Sequence, residues 1–456
     1  MLQSIKLCRK FAAVICVAAL FGCFSFHGFA QEGSAPRVVS ALTPTGQGTD
    51  KYIRSFGKDY ATAPTSPIVV GDTLIIFSGY KLYKLDKQTG EEIESVKAEG
   101  RITFTTVSPL YHDGMIYMQL DGGLLQAFDY ETMKSVWIYR DPIGGQALCP
   151  VSYDDGLIYT AFWDGETRDA NYVCLDLSDD DPAAELNEKS AVWTYAAKGG
   201  FYRTGCAFTD RYIIFGKDDG FRGSENPSQI TVLDKKTGEF VASREVFGDI
   251  RTDVVYSSET EAFYTASKAG FVYKFNVDPV TGEICGLITY QAPGSVTSAP
   301  TVYNNRLYLG AQSSTGGKFL VLNADTLTEI YSDDLPGYPQ AGMLVSNGYE
   351  HLNGKIYIYT TYNMKPGGIF VFEDCAGQTL PVKREVYSPP ESASQFCISP
   401  IASDDEGILY YKNDSGNIFA ITPDVFSLPD QARQMILRLI AFLERLFTLI
   451  GSIAAH

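Results

Sequence analysis

An internal repeat constrains the fold of this 456-residue chain more than any other feature. Each copy opens on a short strand-like segment, often at Ser-Pro, as in SPIVVGDTLIIF from Ser66 and SPLYHDGMIYMQL from Ser108. A Gly or Asp-Gly turn, a strand such as LIYT, a second turn and a strand such as LYKLD follow. Most copies then add a turn like KQTGE and a fourth strand. The eight copies begin at positions 66, 108, 149, 205, 252, 299, 342 and 399.

Four short strands in a unit of roughly 40–50 residues are typical of a β-propeller blade. The sequence therefore predicts an all-β, eight-bladed β-propeller of four-stranded antiparallel blades over residues 51–424, with seven blades as the alternative. The eighth copy lacks a fourth strand, because Pro423 follows its third. Residues 51–56 are strand-like and unpaired in the repeat scheme, so we expect them to complete the last blade and close the ring.

Charge and residue types limit the chemistry that the chain can carry. The net charge of −17 argues against nucleic-acid binding, because an acidic surface repels phosphate. Beyond residue 30 the histidines are His112, His351 and His456, which fall in different repeats or at the end of the chain. There is no Cys-x-x-Cys pair, and no acidic run has the spacing of an EF-hand. We therefore predict no catalytic, cofactor-binding or metal-binding residue.

Both ends of the chain lie outside the repeats. Residues 1–30 read as a signal peptide, with a basic start, an apolar run and small residues before a cleavage point after Ala30. Lipidation at Cys23 is the alternative, and both readings make the protein secreted or bound at the cell surface. Residues 31–50 are expected to form a flexible N-terminal segment. Residues 425–456 predict an amphipathic helix that docks on the propeller, self-associates or lies on a membrane surface.

Export would permit disulfides among the remaining cysteines. Their scatter does not resemble a disulfide framework and favours isolated buried thiols, although pairing stays open from sequence alone. The six are Cys149, Cys174, Cys206, Cys285, Cys375 and Cys397.

Two repeats carry a more specific signature. The pattern LD-x-x-TG occurs from Leu85 to Gly90 and from Leu233 to Gly238, and a strand with Trp137 or Trp193 stands in two other repeats. These features resemble the pyrroloquinoline-quinone-like propeller family. Segments such as the GGFY that begins at Gly199 make the chain most similar to secreted propellers of Gram-positive anaerobic bacteria. The chain also resembles, more distantly, the outer-membrane assembly lipoprotein with the same ring.

The resemblance implies an exported, non-catalytic module that binds or scaffolds an envelope protein or glycan. Quinone-dependent dehydrogenases of this superfamily carry adjacent cysteines and a calcium-binding motif, and this sequence has neither. An envelope enzyme, quinone-dependent or polysaccharide-active, is the alternative, because a pair of catalytic carboxylates cannot be identified from sequence.

The loops before each repeat indicate where a ligand would bind. In a propeller these loops lead into the innermost strands and surround the channel on one face. Aromatic residues beside Arg or Gln in such loops suit contacts with sugars or peptides. The competing interpretation is that the aromatic side chains plug the channel or pack between blades. The candidates for this rim are Phe201, Tyr202, Arg203, Tyr338, Gln340 and Phe396.

Overall fold

The structure is a computed structural model that describes residues 37–57, 65–102, 107–184 and 186–423. The described residues form 34 strands, the short helix α1 (Glu350–Asn353) and a turn of 3-10 helix at Glu391–Ala393. The strands make eight sheets, which we number as blades 1 to 8 in the order of the repeats. Among the described residues no helix has the length and apolar character needed to cross a bilayer.

The strands of the first four blades are given from the innermost outwards. Blade 1 contains β3 (Ile68–Val70), β4 (Thr73–Ser78), β5 (Lys81–Asp86) and β6 (Glu92–Lys97). Blade 2 contains β7 (Leu110–His112), β8 (Met115–Leu120), β9 (Leu124–Asp129), β10 (Ser135–Arg140) and, beside β10, β14 (Asn187–Lys189). Blade 3 contains β11 (Ser152–Asp154), β12 (Leu157–Ala161), β13 (Asp169–Asp176) and β15 (Trp193–Lys198). Blade 4 contains β16 (Ala207–Phe208), β17 (Tyr212–Gly216), β18 (Pro227–Asp234) and β19 (Phe240–Phe247).

The remaining blades follow the same order. Blade 5 contains β20 (Val255–Ser257), β21 (Ala262–Ala266), β22 (Phe271–Val277) and β23 (Ile284–Gln291). Blade 6 contains β24 (Thr301–Tyr303), β25 (Arg306–Ser313), β26 (Gly316–Asn323) and β27 (Glu329–Leu335). Blade 7 contains β1 (Arg37–Val39), β28 (Leu344–Ser346), β29 (Ile356–Thr361), β30 (Ile369–Asp374) and β31 (Val382–Tyr387). Blade 8 contains β32 (Ala402–Ser403), β33 (Leu409–Lys412), β34 (Asn417–Thr422) and β2 (Thr49–Ser55).

The predicted eight-bladed ring and its closure are confirmed. β2 pairs antiparallel with β34, so a strand from before the first repeat completes blade 8. Each buried hydrophobic cluster combines residues of two neighbouring blades, and one cluster joins blade 8 to blade 1 through residues such as Tyr52, Leu74 and Tyr410. The predicted helix at 425–456 and the predicted signal at 1–30 lie outside the described residues.

The Ser-Pro signature has a structural cause. The hydroxyls of Ser66 and Ser399, which precede blades 1 and 8, lie 2.8 Å apart. Ser298 plays the same part before blade 6, donating to the main-chain oxygen of Ala341 before blade 7 at 2.7 Å. A small hydroxyl at this position therefore links the starts of adjacent innermost strands.

The Thr-Gly turn also joins neighbouring blades. In blade 4, Asp234 accepts the main-chain N–H of Thr237, and Gly238 follows with φ of +72°. A Cβ at Gly238 would lie 2.6 Å from the Trp193 ring of blade 3, whose Nε1 donates to the main-chain oxygen of Lys235 at 2.9 Å. Glycine is required here both for the left-handed backbone and for the close approach of the ring.

The segment before β2 is bound along the ring. β1 runs parallel to β28, the innermost repeat strand of blade 7, and the chain then continues towards blade 8. The hydroxyls of Tyr349 and Tyr359 donate to the main-chain oxygens of Thr43 and Pro44, at 2.8 and 2.7 Å. These hydrogen bonds fix residues 43 and 44, within the stretch that the sequence predicts to be flexible.

A lysine at the end of the acidic insertion of repeat 3 balances part of its negative charge. The insertion contributes β14, which pairs parallel with β10 of blade 2. The buried ammonium of Lys189 lies 2.7 Å from Asp176 Oδ1 and 3.2 Å from Asp180 Oδ1. Lys189 therefore offsets part of the negative charge of the acidic run.

Candidate functional site

A cavity of about 540 Å³ lies on the face that carries the connections between blades, which we call the upper face. Its wall combines two kinds of loop: the connections that precede blades 4, 5, 6 and 7, and the loops between the second and third strands of blades 5 to 7. The lining includes the cations Arg203, Arg251 and Lys268 and the amides Gln312 and Gln340. This upper-face pocket is large enough for a small ligand or for a segment of a larger one.

The pocket brings four of the six predicted rim residues together. Tyr202, Arg203, Tyr338 and Gln340 all line it and are all half-buried. Their use in binding stays a prediction, but their convergence follows from the closed ring, which places the loops before blades 4 and 7 around one channel.

The other two predicted residues do not line this pocket. Phe201 is fully buried, and its ring packs edge-on against Tyr172 and Phe215 at centroid distances of 5.2 and 5.6 Å. Phe201 therefore follows the competing interpretation, because its ring packs between blades and does not face the pocket. Phe396 is exposed, and its main-chain oxygen accepts the N–H of Asp414.

Arg203 is held in an unusual backbone conformation. Its φ of +56° lies in the left-handed region, which costs a non-glycine residue about 1–2 kcal/mol. From there its Nη1 donates to Gln340 Oε1 at 3.0 Å and spans the pocket between the loops before blades 4 and 7. Strained residues that the surroundings hold in place are concentrated at binding sites, so Arg203 marks this pocket as a candidate functional site.

Tyr338 supplies a neutral hydroxyl to the opposite wall. Its hydroxyl lies 2.9 Å from that of Thr297. Burial raises the pKa of Tyr338 to about 12, so the phenol stays protonated at neutral pH. It can therefore both donate and accept a hydrogen bond in the pocket.

A buried ion cluster supports the wall behind Tyr202. The guanidinium of Arg251 makes two hydrogen bonds with Asp218, at 3.1 and 2.6 Å. Nη2 of Arg251 also lies 2.9 Å from Asp249 Oδ2 and 3.6 Å from Glu166 Oε1. The central carbon of the Arg251 guanidinium lies 4.5 Å from the centre of the Tyr202 ring. Arg251 therefore joins three acidic side chains to the ring that faces the pocket.

Burial sets the protonation of this cluster. It raises the pKa of Asp218 to about 7, and the nearby charge of Arg251 only partly opposes the increase. The pKa of Asp249 is raised for the same reason. Trp163 adds a neutral partner, because its Nε1 donates to Asp218 Oδ2 at 3.2 Å and its ring meets Tyr202 edge-on at 5.0 Å.

Arg251 and Lys268 line the pocket but are not among the predicted rim residues. Arg251 stands immediately before the fifth repeat, so the rule that selected Tyr202 could also have selected Arg251. Lys268 lies in the loop between β21 and β22, which reaches the same face but is not marked by the repeat starts.

The described cysteines are all free thiols. Cys149, Cys174, Cys206 and Cys397 are buried, in agreement with the interpretation as isolated buried thiols. Burial raises the pKa of Cys206 to about 12, which leaves its thiol protonated and unreactive.

Part of the sequence matches a known protein family, and the fold matches solved structures. Residues 38–176 match the family model described as outer membrane protein assembly factor BamB. BamB from Moraxella catarrhalis is 16% identical with a TM-score of 0.55, and the alignment covers 82% of this chain and 99% of that one. The computationally designed protein Ika8 is 13% identical with a TM-score of 0.57, covering 85% and 99%. No curated protein matches the chain.

An enzyme shares the same ring. Quinohemoprotein alcohol dehydrogenase from Comamonas testosteroni is 10% identical with a TM-score of 0.61, and the alignment covers 84% of this chain and 78% of that one. These structural likenesses show the fold and do not decide between binding and catalysis. Together with the family match they confirm the resemblance to pyrroloquinoline-quinone-like propellers. The nearer likeness to proteins of Gram-positive anaerobes stays a prediction.

The residues around the pocket do not fit a quinone held with calcium. The buried carboxylates of Asp218 and Asp249, behind the pocket wall, are bound to Arg251. Within the described ranges, no group of three or more His, Cys, Asp or Glu side chains is arranged to hold a metal ion. No cofactor is therefore assigned to this pocket.

Proposed function

We propose that this chain is an exported, non-catalytic β-propeller that binds an envelope protein or glycan through the upper-face pocket. The observation that carries the proposal is the convergence of Tyr202, Arg203, Tyr338 and Gln340 on one cavity. The surrounding loops are short and are anchored on both sides by blades, so the pocket is held in a fixed shape that lowers the entropic cost of binding.

The family match supports a place at the cell envelope. The matched family is described as an outer membrane protein assembly factor, which favours a protein partner at the envelope. The predicted signal at 1–30 supports export, with either cleavage after Ala30 or lipidation at Cys23. Association through the predicted helix at 425–456 and the absence of nucleic-acid binding are further predictions of this proposal.

Replacement of Tyr202 by Ala tests the pocket. We expect Tyr202→Ala to abolish the capture of partners from a cell-envelope extract by the immobilised chain. The matched control is Tyr80→Ala, because Tyr80 is an exposed tyrosine in the loop between the second and third strands of blade 1. Equal capture by both variants and the unaltered chain would contradict the proposal. A large fall in the melting temperature of Tyr202→Ala would instead indicate a packing role.

A spectroscopic measurement separates binding from the enzyme alternative. The full chain is incubated with pyrroloquinoline quinone and calcium, and free cofactor is then removed. We expect no retained quinone absorbance. A stoichiometric bound chromophore would overturn the non-catalytic proposal.

A further inference from the structure

We propose that the upper-face pocket binds an acidic glycan through the carboxylate groups of its sugar units. This inference deepens the proposed function and depends on that function. The charge of the pocket, the cations in its lining and the amide groups of its wall support it.

The charge of the pocket is opposite to that of the chain. The sequence has 54 acidic and 37 basic residues. Among the described residues that line the pocket, three are basic and none is acidic. A concave site lined by one sign of charge attracts ligands of the other sign, because the surrounding protein focuses the field. The pocket is therefore suited to an anion.

The three cations have different roles. Arg251 is compensated from behind by Asp218, Asp249 and Glu166, so it positions Tyr202 rather than adding net charge to the pocket. Arg203 reaches the pocket with a guanidinium that already contacts Gln340. A guanidinium can hold a carboxylate through two parallel hydrogen bonds.

Lys268 adds a second positive charge to the lining of the pocket. Its main-chain N–H donates to the main-chain oxygen of Asp249 at 2.8 Å, which fixes the start of the loop that carries it. Its side chain is half-buried, and no ion pair of its ammonium is present among the residues that the structure describes. Lys268 and Arg203 are therefore the two side chains that we assign to the carboxylate of the ligand.

The rest of the wall favours a sugar over an acidic peptide. Gln312, Gln340 and Asn363 present amides, each of which can donate and accept hydrogen bonds with neighbouring hydroxyls. Apolar side chains are few, with Pro336 and Met364 beside the two tyrosine rings. Interfaces with proteins and peptides usually concentrate their binding energy in a few large side chains seated in well-packed pockets. A glycan needs hydrogen bonds and an aromatic surface, which this wall supplies.

The test uses three probes on the full chain by isothermal titration calorimetry. They are a trisaccharide of galacturonic acid, the same trisaccharide with its carboxylates methyl-esterified, and triglutamate. We expect the free acid to bind most tightly and the ester about tenfold or more weakly, because it forms no charge-assisted hydrogen bond. Higher salt concentration should weaken binding of the free acid and leave that of the ester unchanged.

Two variants locate the charge. Arg203→Gln and Lys268→Gln should each weaken binding of the free acid about tenfold and change that of the ester little. The matched control is Lys134→Gln, because Lys134 is an exposed lysine in the turn between the third and fourth strands of blade 2, away from the pocket. It should leave all affinities unchanged.

The outcomes separate this inference from the proposed function. Equal binding of acid and ester, or tighter binding of triglutamate, would overturn the acidic-glycan assignment while leaving a pocket that binds ligands. No binding of the free acid at millimolar concentration would also overturn it. If Tyr202→Ala in addition leaves capture from envelope extract unchanged, the proposed function itself fails.

Discussion

Removal of Arg251 should destabilise the ring, and the loss should grow with pH. Arg251→Met retains most of the side-chain volume but leaves Asp218 and Asp249 buried without their cation. Removing one partner of a buried ion pair costs about 3–5 kcal/mol when the remaining charge cannot be relieved. Because protonation of Asp218 can relieve part of the charge, we expect a loss in the free energy of unfolding at the lower end of this range, about 3 kcal/mol, at pH 8.

Protonation of Asp218 should relieve that loss at low pH. The folded-state pKa of Asp218 is raised to about 7, above the 3.8 of an ordinary aspartate. The contribution of this group to stability is therefore complete below pH 3.8 and declines as the pH rises through 7. Arg251 holds the pKa down, so its removal raises the pKa further and extends the decline to higher pH. At pH 5 the carboxyl is neutral with or without Arg251, and we expect a smaller loss of about 1–2 kcal/mol.

Denaturant titrations at pH 5 and pH 8, followed by tyrosine fluorescence, measure the two losses. The matched control is Arg168→Met, because Arg168 pairs with Asp164 on the surface with 70% of its side chain exposed. Exposed pairs contribute about 0–1 kcal/mol, so this variant should lose little stability at either pH. An equal loss for Arg251→Met at both pH values would refute the assignment of the raised pKa to Asp218.

Two further predictions concern the packing of the blades. Gly238→Ala should cost about 3 kcal/mol or more, because it adds both left-handed strain and contact with Trp193. The control is Gly114→Ala, at φ of +79° with no heavy atom near the new Cβ, which should cost only about 1 kcal/mol. Both costs are measured by denaturant titration, and equal costs would contradict the proposed contact between blades. Cys285 should react rapidly with a thiol reagent in the folded protein, whereas Cys206 should react only after unfolding. Rapid labelling of Cys206 in the folded protein, located by mass spectrometry of the labelled peptides, would contradict this burial pattern.

The repeat predicted the ring because its signals are local. Turn chemistry such as that of Asp234 and Gly238 acts within a few residues, and the alternation of apolar positions determines each strand. The closing strand could also be predicted, because the last repeat visibly lacked one. The convergence of Tyr202 and Tyr338 then followed from closure, although the two residues are far apart in sequence.

Other features depend on contacts without a local signal. β1 has only three residues, and its partner β28 is about 300 residues away, so no pattern near Arg37 indicates the pairing. The role of Arg251 depends on its contact with Asp218, which lies 33 residues earlier in the chain. In the sequence Asp218 looks like part of an ordinary acidic turn. Phe201 and Phe396 show that a position before a blade does not decide whether a side chain faces the pocket or the core.

The ion cluster behind Tyr202 is best explained by positioning rather than by stability. Buried ion pairs often stabilise a fold no better than apolar residues of similar volume. The triple variant Asp218→Leu, Asp249→Asn, Arg251→Met removes both buried carboxylates together with the cation and should therefore regain most of the stability lost in Arg251→Met. It should still bind partners from envelope extract poorly, because Tyr202 has lost the guanidinium that lies 4.5 Å from its ring centre. Full recovery of binding together with stability would show that the cluster serves only the fold.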